Sequence, residues 1–357
     1  MQKKALIAGI SGVVGSATAK RLLEQGWDVY GLSRGRTPVP EGCHSLTADL
    51  TSESSVKEAV KEITPDALFF SVWARQANEE ENIRVNGGMV RNVIEALGEK
   101  LNGSHVALVT GLKHYLGPFD AYGKGEVPLT PFREEQGRQP VANFYYAQED
   151  EMFDGAQKYG YSWSVHRPHT IIGYAIGNAM NMGQTLAVYA SLCKFHGLPF
   201  VFPGSAAQWN GVTDMSSASL VAEQLEWAAT SPAAKNDDFN TVNGDVFRWK
   251  WMWSEIAAYF GIEAAPFPET EQPLEASMAR HNAPALWQAV AQAHQLSEPD
   301  VNRLASWWHT DADLGRPMEV FTDMSKSRKA GFLAYHCTRD DLFALFDQLK
   351  RDKLIPA

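Results

Sequence analysis

Short apolar runs alternate, along the first half of the chain, with stretches whose apolar residues recur at helical spacing. Residues 4–8 form the first run, and a helical pattern then runs through Ala17, Leu22 and Leu23 to Gly26. The alternation repeats. Runs at 27–32, 44–48, 66–73 and 105–110 read as strands, with helices over 54–63 and 79–100. The second helix carries Ile83, Met89, Val93, Ile94 and Leu97 as its apolar positions. A helix over 145–158 and a sixth strand over 161–166 continue the series. Helices over 186–196 and 216–229, short strands at 199–202 and 239–243, and a loop at 206–211 follow. Repeated strand–helix units of this length predict an α/β fold, a doubly wound parallel sheet of Rossmann type. Ligands of such sheets bind beyond the carboxyl ends of the strands.

From residue 246 the composition changes. Trp249, Trp251 and Trp253 lie close together, Pro266, Pro268 and Pro273 mark a loop, and Trp287, Trp307 and Trp308 follow. This predicts a smaller, mostly helical C-terminal lobe over 246–316 that caps the site, with its aromatic residues as core. The nucleotide-binding domain then spans 1–245, with a contribution to the lobe inserted at about 175–212. Residues 317–357 are expected to pack back on that domain, closing with a helix over 339–350.

The 357 residues carry a formal net charge of -10, which argues against nucleic acid, since phosphate backbones require clustered positive charge. Cys43, Cys193 and Cys337 are too few and too scattered for a disulfide framework or a metal site, which suits a reducing, cytoplasmic setting. No apolar run reaches membrane-spanning length, and the apolar N-terminal stretch is broken by glycines and serines, unlike a signal peptide. His166 and His169 invite a metal reading. Their odd separation on an extended segment sends the two rings to opposite faces, and no metal is expected. The pattern leaves a homodimer open.

Gly9-Ile10-Ser11-Gly12-Val13-Val14-Gly15 joins the first strand to the first helix, the context a dinucleotide-binding turn needs. The first glycine allows the tight turn, the second lets backbone N–H groups approach a pyrophosphate, and the third lets helix pack on strand. The second strand ends in Ser33-Arg34-Gly35-Arg36, without the acidic residue that would hold an NAD ribose. Ser33 and Arg34, joined by Arg36, suit a 2′-phosphate instead, so NADPH is the expected cofactor. The glycine spacing is similar to that of short-chain dehydrogenases. That likeness implies adenine contacts at Asp49 and Leu50, and cofactor contacts at Ser71 and Val72, at Thr110 and Gly111, and at Pro168, Thr170 and Ile171.

Most short-chain dehydrogenases pair a Tyr with a Lys four residues later on one helical face, so that the ammonium acts on the phenol. None of the eleven tyrosines here has that partner; Tyr145 is followed at that spacing by Glu149, and Tyr146 by Asp150. A lysine must come from elsewhere, and Lys113, just past the fifth strand, is the leading candidate. The chain resembles the progesterone 5β-reductase and iridoid synthase family of enone reductases. The resemblance rests on the glycine turn, on Thr110-Gly111-Leu112-Lys113-His114-Tyr115-Leu116-Gly117-Pro118-Phe119, on Asn143-Phe144-Tyr145-Tyr146, and on Ser164-Val165-His166-Arg167-Pro168. Asn243-Gly244-Asp245-Val246-Phe247-Arg248-Trp249-Lys250 and Ser325-Lys326-Ser327-Arg328-Lys329-Ala330-Gly331-Phe332 extend it over nearly the whole chain.

What the resemblance implies is reduction by NADPH of a C=C bond conjugated to a carbonyl, with a small enone or enal as substrate. Tyr145 and Lys113 fall on the family's catalytic positions: Tyr145 hydrogen-bonds the carbonyl oxygen as enolate charge develops, and Lys113 supplies positive charge and orientation. Phe119 and Tyr122 are expected to line the substrate pocket, with Leu116, Met182 and Phe332 as further wall residues. Two other readings compete: a carbonyl reductase or sugar epimerase of the extended short-chain type, and an NADPH-binding redox sensor without turnover.

Overall fold

The computed structural model describes all residues except 1, 119, 120, 122–127, 178, 179 and 269. Seven strands form one parallel sheet: β1 (Lys4–Ala8), β2 (Asp28–Ser33), β3 (His44–Thr47), β4 (Ala67–Phe70), β5 (His105–Val109), β6 (Ser162–Pro168) and, last in the chain, β9 (Asp237–Thr241). Their spatial order is β3-β2-β1-β4-β5-β6-β9. The order reverses direction between β1 and β4, and that switch point is where a doubly wound sheet opens a crevice for ligands. The short strands β7 (Ile171–Ile172) and β8 (Ser216–Ser217) pair separately, in parallel, beyond the end of β6.

Successive strand residues point to opposite faces, and β1 shows how both become buried. Leu6 and Ala8 pack with Leu68, Phe70 and Leu108 under α2 (Glu53–Val60), α3 (Glu79–Leu97) and α5 (Phe144–Tyr159). Ala5 and Ile7 pack with Val29 and Phe69 under α1 (Val13–Glu24) and α8 (Ala218–Thr230). Phe69 and Phe70, each 1% exposed, serve opposite faces, and burying each contributes on the order of 2 kcal/mol.

Between these lie a single helical turn, α4 (Lys113–Leu116), the helix α6 (Met182–His196) and the short α7 (Ala206–Asn210). The stretch expected as a loop at 206–211 is therefore helical, with Ser205 Oγ accepting from the backbone N–H of Gln208 as its cap. Residues 199–202 form no strand; Phe200 makes one isolated bridge to Ala264.

The lobe consists of α6 with α9 (Trp249–Phe260), α10 (Leu274–Arg280), α11 (Ala283–His294) and α12 (Trp307–Leu314). Its core is aromatic as expected. Trp253 and Trp287 are fully buried, and the Trp253 ring stacks on Phe200 at 4.1 Å between centroids. The closing segment divides. The short α13 (Ser325–Lys329) packs beside β9, while α14 (Thr338–Arg351) sends Leu342, Leu345, Phe346 and Leu349 into the lobe core and also meets β8. The N-terminus of α14 is fixed by Asp245, whose carboxylate accepts from the Thr338 N–H at 2.9 Å and hydroxyl at 2.7 Å. Among the described residues no helix is long and apolar enough to cross a membrane.

Candidate active site

Past the end of β5 the chain runs through Thr110 and Gly111 into α4, and this turn presents Lys113 to a cleft of about 200 Å³. Tyr145, in the first turn of α5, faces the same cleft. The Lys113 Nζ lies 5.9 Å from the centre of the Tyr145 ring and 4.7 Å from that of Trp73. Both residues are 9% exposed.

Asn143 and Tyr146 explain why two distant segments meet here. The Asn143 side chain caps α5 by accepting from the Tyr145 N–H at 3.0 Å, and its amide donates to the Lys113 carbonyl at 2.7 Å. The Tyr146 hydroxyl donates to the His114 carbonyl at 2.6 Å. Two consecutive carbonyls of α4 are thus tied to α5. A carboxylate from α3 completes the junction, since Glu79 accepts from the Phe144 N–H at 2.8 Å. Gly111 allows the close approach: a Cβ there would lie 3.3 Å from the Tyr145 hydroxyl.

Trp73 is held by its own anchor. The Asn86 side chain accepts from the Ala74 N–H at 2.7 Å and donates to the Ala74 carbonyl at 3.0 Å, fixing the strap after β4. Further along that strap, the Arg75 guanidinium lies 3.9 Å from the Trp308 ring centre, joining the sheet-side wall to α12.

Burial in this aromatic surrounding pushes the Lys113 ammonium down to about 8, against the opposing pull of Glu79 and Asp313. Behind α5, Glu149 is buried with Arg138 at 2.8 Å, and Arg167 pairs with Asp238 at 2.5 Å. These pairs brace the helix that carries Tyr145.

The glycine turn has the shape its spacing implies. Gly9 has φ +89°, and a Cβ on it would come within 2.4 Å of Val72; a Cβ on Gly15 would come within 2.1 Å of the Gly9 carbonyl oxygen. No side chain caps α1, whose N-terminal residues Val13 and Val14 line the cleft with Gly12. The turn leaves no room for side chains at Gly9 and Gly15, and the first backbone N–H groups of α1 have no side-chain cap.

Of the other residues singled out for a cofactor, Ser71, Val72, Thr110, Gly111, Pro168, Thr170 and Ile171 line the cleft. Ser11 faces a groove on the far side of α1. Ser33 ends β2 with Arg34 exposed beyond it, while Asp49 and Leu50 follow β3. Hydrogen bonds from the Thr51 hydroxyl and N–H hold the Asp49 carboxyl below its usual range.

Three expected wall residues lie elsewhere. Leu116 is buried with Tyr115, Phe132 and Val320 under the α4 turn. Met182 lies beneath the cleft in a small cavity with Trp249 and Asp214, and Met180 takes the position at the wall. Phe332 packs with Leu220, Val242 and Met324 beside β9, because the α13 turn directs it into that cluster. Phe119 and Tyr122 fall outside the described residues. The walls missing from the sequence reading come from the far end of the chain: His309, Asp313 and Arg316.

The sequence profile of the PRISE-like Rossmann-fold domain matches residues 40–356. The chain belongs to that family. Within the PRISE-like family it is similar to an (S)-8-oxocitronellyl enol synthase of Camptotheca acuminata, 36% identical over 366 residues covering 99% of this chain and 94% of that one. It is equally similar, at 36% identity over 99% and 93% of the two chains, to a 3-oxo-Delta(4,5)-steroid 5-beta-reductase of Arabidopsis thaliana. Among solved structures, a UDP-glucose 4-epimerase of Thermotoga maritima superimposes with a TM-score of 0.67 at 13% identity, over 98% of this chain and 99% of that one. The enzyme WbmH of Bordetella bronchiseptica, in complex with NAD+, gives 0.66 at 15% identity over the same shares. These likenesses establish the fold that the PRISE-like chain shares with them.

Proposed function

We propose that the chain is an NADPH-dependent reductase of the activated C=C bond of enones and enals. The observation that carries this reading is the meeting of Lys113 and Tyr145 in one cleft beside the glycine turn. The names of the relatives, an enol synthase and a steroid 5-beta-reductase, agree with it. A nicotinamide dinucleotide fits the residues present. Gly9, Gly12, Val13, Val14 and Gly15 would take its pyrophosphate, Ser33 and Arg34 a 2′-phosphate, Asp49 and Leu50 the adenine, and Pro168, Thr170 and Ile171 its nicotinamide end. When bound, it supplies a hydride to the β-carbon of the substrate.

The chain's own residues do the rest. The Tyr145 hydroxyl donates to the carbonyl oxygen and strengthens that bond as negative charge moves onto it. Lys113 places a cation near the same oxygen, and its low-lying ammonium, about 8, still keeps it mostly charged at neutral pH. Trp73 keeps water from the ammonium, which makes its charge felt more strongly. No proton has to leave Tyr145 for this to work; the enolate can leave the site and be protonated by solvent.

NADPH oxidation with a small enone and with the matching saturated ketone tests the reading. Consumption with the enone alone is expected; consumption with the ketone alone overturns it in favour of a carbonyl reductase. Tyr145→Phe should lower kcat by about 10²-fold or more, the usual worth of a positioned donor. A Tyr145→Phe variant with wild-type turnover would remove the proposed mechanism.

A further inference from the structure

Opposite Lys113 and Tyr145 the cleft wall is polar. It is made by His169 and Thr170, from the turn after β6, and by His309, Asp313 and Arg316, from α12 and the residue beyond Gly315. The hydrogen bonds form a chain fixed at both ends. One oxygen of Asp214 accepts from the Thr322 N–H at 2.7 Å and hydroxyl at 2.9 Å. Its other oxygen accepts from the His169 Nδ1–H at 2.7 Å, which leaves Nε2 as an acceptor, and Arg316 donates to it at 2.5 Å. Arg316 also pairs with one Asp313 oxygen, and the Thr170 hydroxyl donates to the other at 2.8 Å.

Both Asp313 oxygens and the His169 Nε2 thus accept from within the wall, which leaves its guanidinium and the His309 ring facing the cleft. The His309 Nδ1 is buried with no hydrogen-bond partner among the described residues, an unfavourable arrangement that a ligand could relieve. Among the described residues the charged side chains lining the cleft are Lys113 and Arg316 against Asp313, two positive and one negative. A buried ion pair is a poor device for stability, since apolar residues of similar volume often serve as well or better. Asp313 and Arg316, 5% and 6% exposed, are placed where a ligand would meet them.

We propose that this wall is a subsite for a carboxylate, and that the substrates are small enones or enals bearing an acidic group at the end remote from the carbonyl. The proposal rests on the enone-reductase reading and names its substrate class. Arg316 gives the carboxylate a charge-assisted hydrogen bond, with His309 as the second donor. Asp313 and His169 hold the guanidinium in place. Since the cleft, about 200 Å³, must also take the nicotinamide end of a dinucleotide, the acid is small.

The test is a matched pair, 6-oxohept-4-enoate and its methyl ester, assayed with NADPH and the full-length protein. Two methylenes separate the acid from the alkene, so its charge leaves the reactivity of the C=C bond alone. Wild type should favour the acid by about tenfold or more in kcat/KM, expressed in KM, as a charged hydrogen bond would give. In the paired change Asp313→Asn with Arg316→Gln, which leaves no lone charge behind, the acid-to-ester ratio should fall to near one. His309→Phe should reduce the ratio part of the way. Calorimetry of the saturated acid, 6-oxoheptanoate, with the NADP+-loaded protein should show the same loss of affinity without any turnover. An acid-to-ester ratio of one or less in wild type, or a ratio unchanged in both variants, overturns the subsite and leaves the reductase reading standing. Failure of simple enones, ester and acid alike to oxidise NADPH overturns both.

Discussion

Lys113 shows at a single residue how function and stability oppose each other. Its ammonium is pushed from about 10.5 in an unfolded chain to about 8 in the fold, so the folded protein disfavours the charge. The penalty is fully present below pH 8 and fades as pH rises from 8 through 10.5, because over that range the unfolded chain binds the extra proton. Lys113→Met should therefore raise stability at pH 7 by roughly 3 kcal/mol while it lowers turnover. Chemical denaturation at pH 7 and at pH 10 checks this: the variant's advantage should be large at the first and small at the second. Lys113 and Tyr145 were legible in the sequence because each sits in a distinctive local string. Asp313 and Arg316 were not. Asp313 lies in the last turn of α12 and Arg316 beyond its C-cap, in no distinctive local string, and only the fold places them in a buried wall.

At the scale of elements, the strand–helix series was readable almost throughout, since buried parallel strands and amphipathic helices leave different periods. The failures were short pieces. The turn of α4 is too brief to show a period, and it exists because Asn143 and Tyr146 hold its carbonyls. The α7 helix did carry a signal, Ser205 followed three residues later by Gln208, the pattern of a capping box. The stretch at 199–202 has strand-like residues, but Phe200 is taken up by the lobe core around Trp253. Asn143→Ala removes a helix cap and a bond to Lys113 together. It should destabilise by about 1–3 kcal/mol and lower kcat beyond that of a capping loss elsewhere, such as Ser52→Ala on α2. Thermal melts beside steady-state kinetics separate the two effects. Gly15→Ala, whose Cβ would meet backbone, should abolish NADPH binding as followed by cofactor fluorescence.

For the whole molecule, the joint between the nucleotide-binding domain and the lobe carries a pH signature of its own. His336 lies between Asp341 of α14, at 2.9 Å, and Glu223 of α8, at 3.1 Å, and these carboxylates raise its imidazolium to about 9. The stability this adds is fully present below pH 6.5 and is lost as pH rises through 9. It amounts to roughly 3 kcal/mol at most, reduced by partial exposure. Melting temperature should fall between pH 6.5 and 9, and His336→Gln should flatten that fall. An equally steep decline in the variant would show that another group sets it. The joint was invisible beforehand because Glu223 lies far along the chain from His336 and Asp341.

The Arg75–Trp308 stack joins the strap after β4 to the lobe. Moving the strap away from the lobe has to break that cation–π contact. Trp308→Ala should speed the departure of NADP+ in stopped-flow displacement and weaken retention of the cofactor. A toll at the doorway, rather than the bond-making step, would then set the pace of the wild-type enzyme.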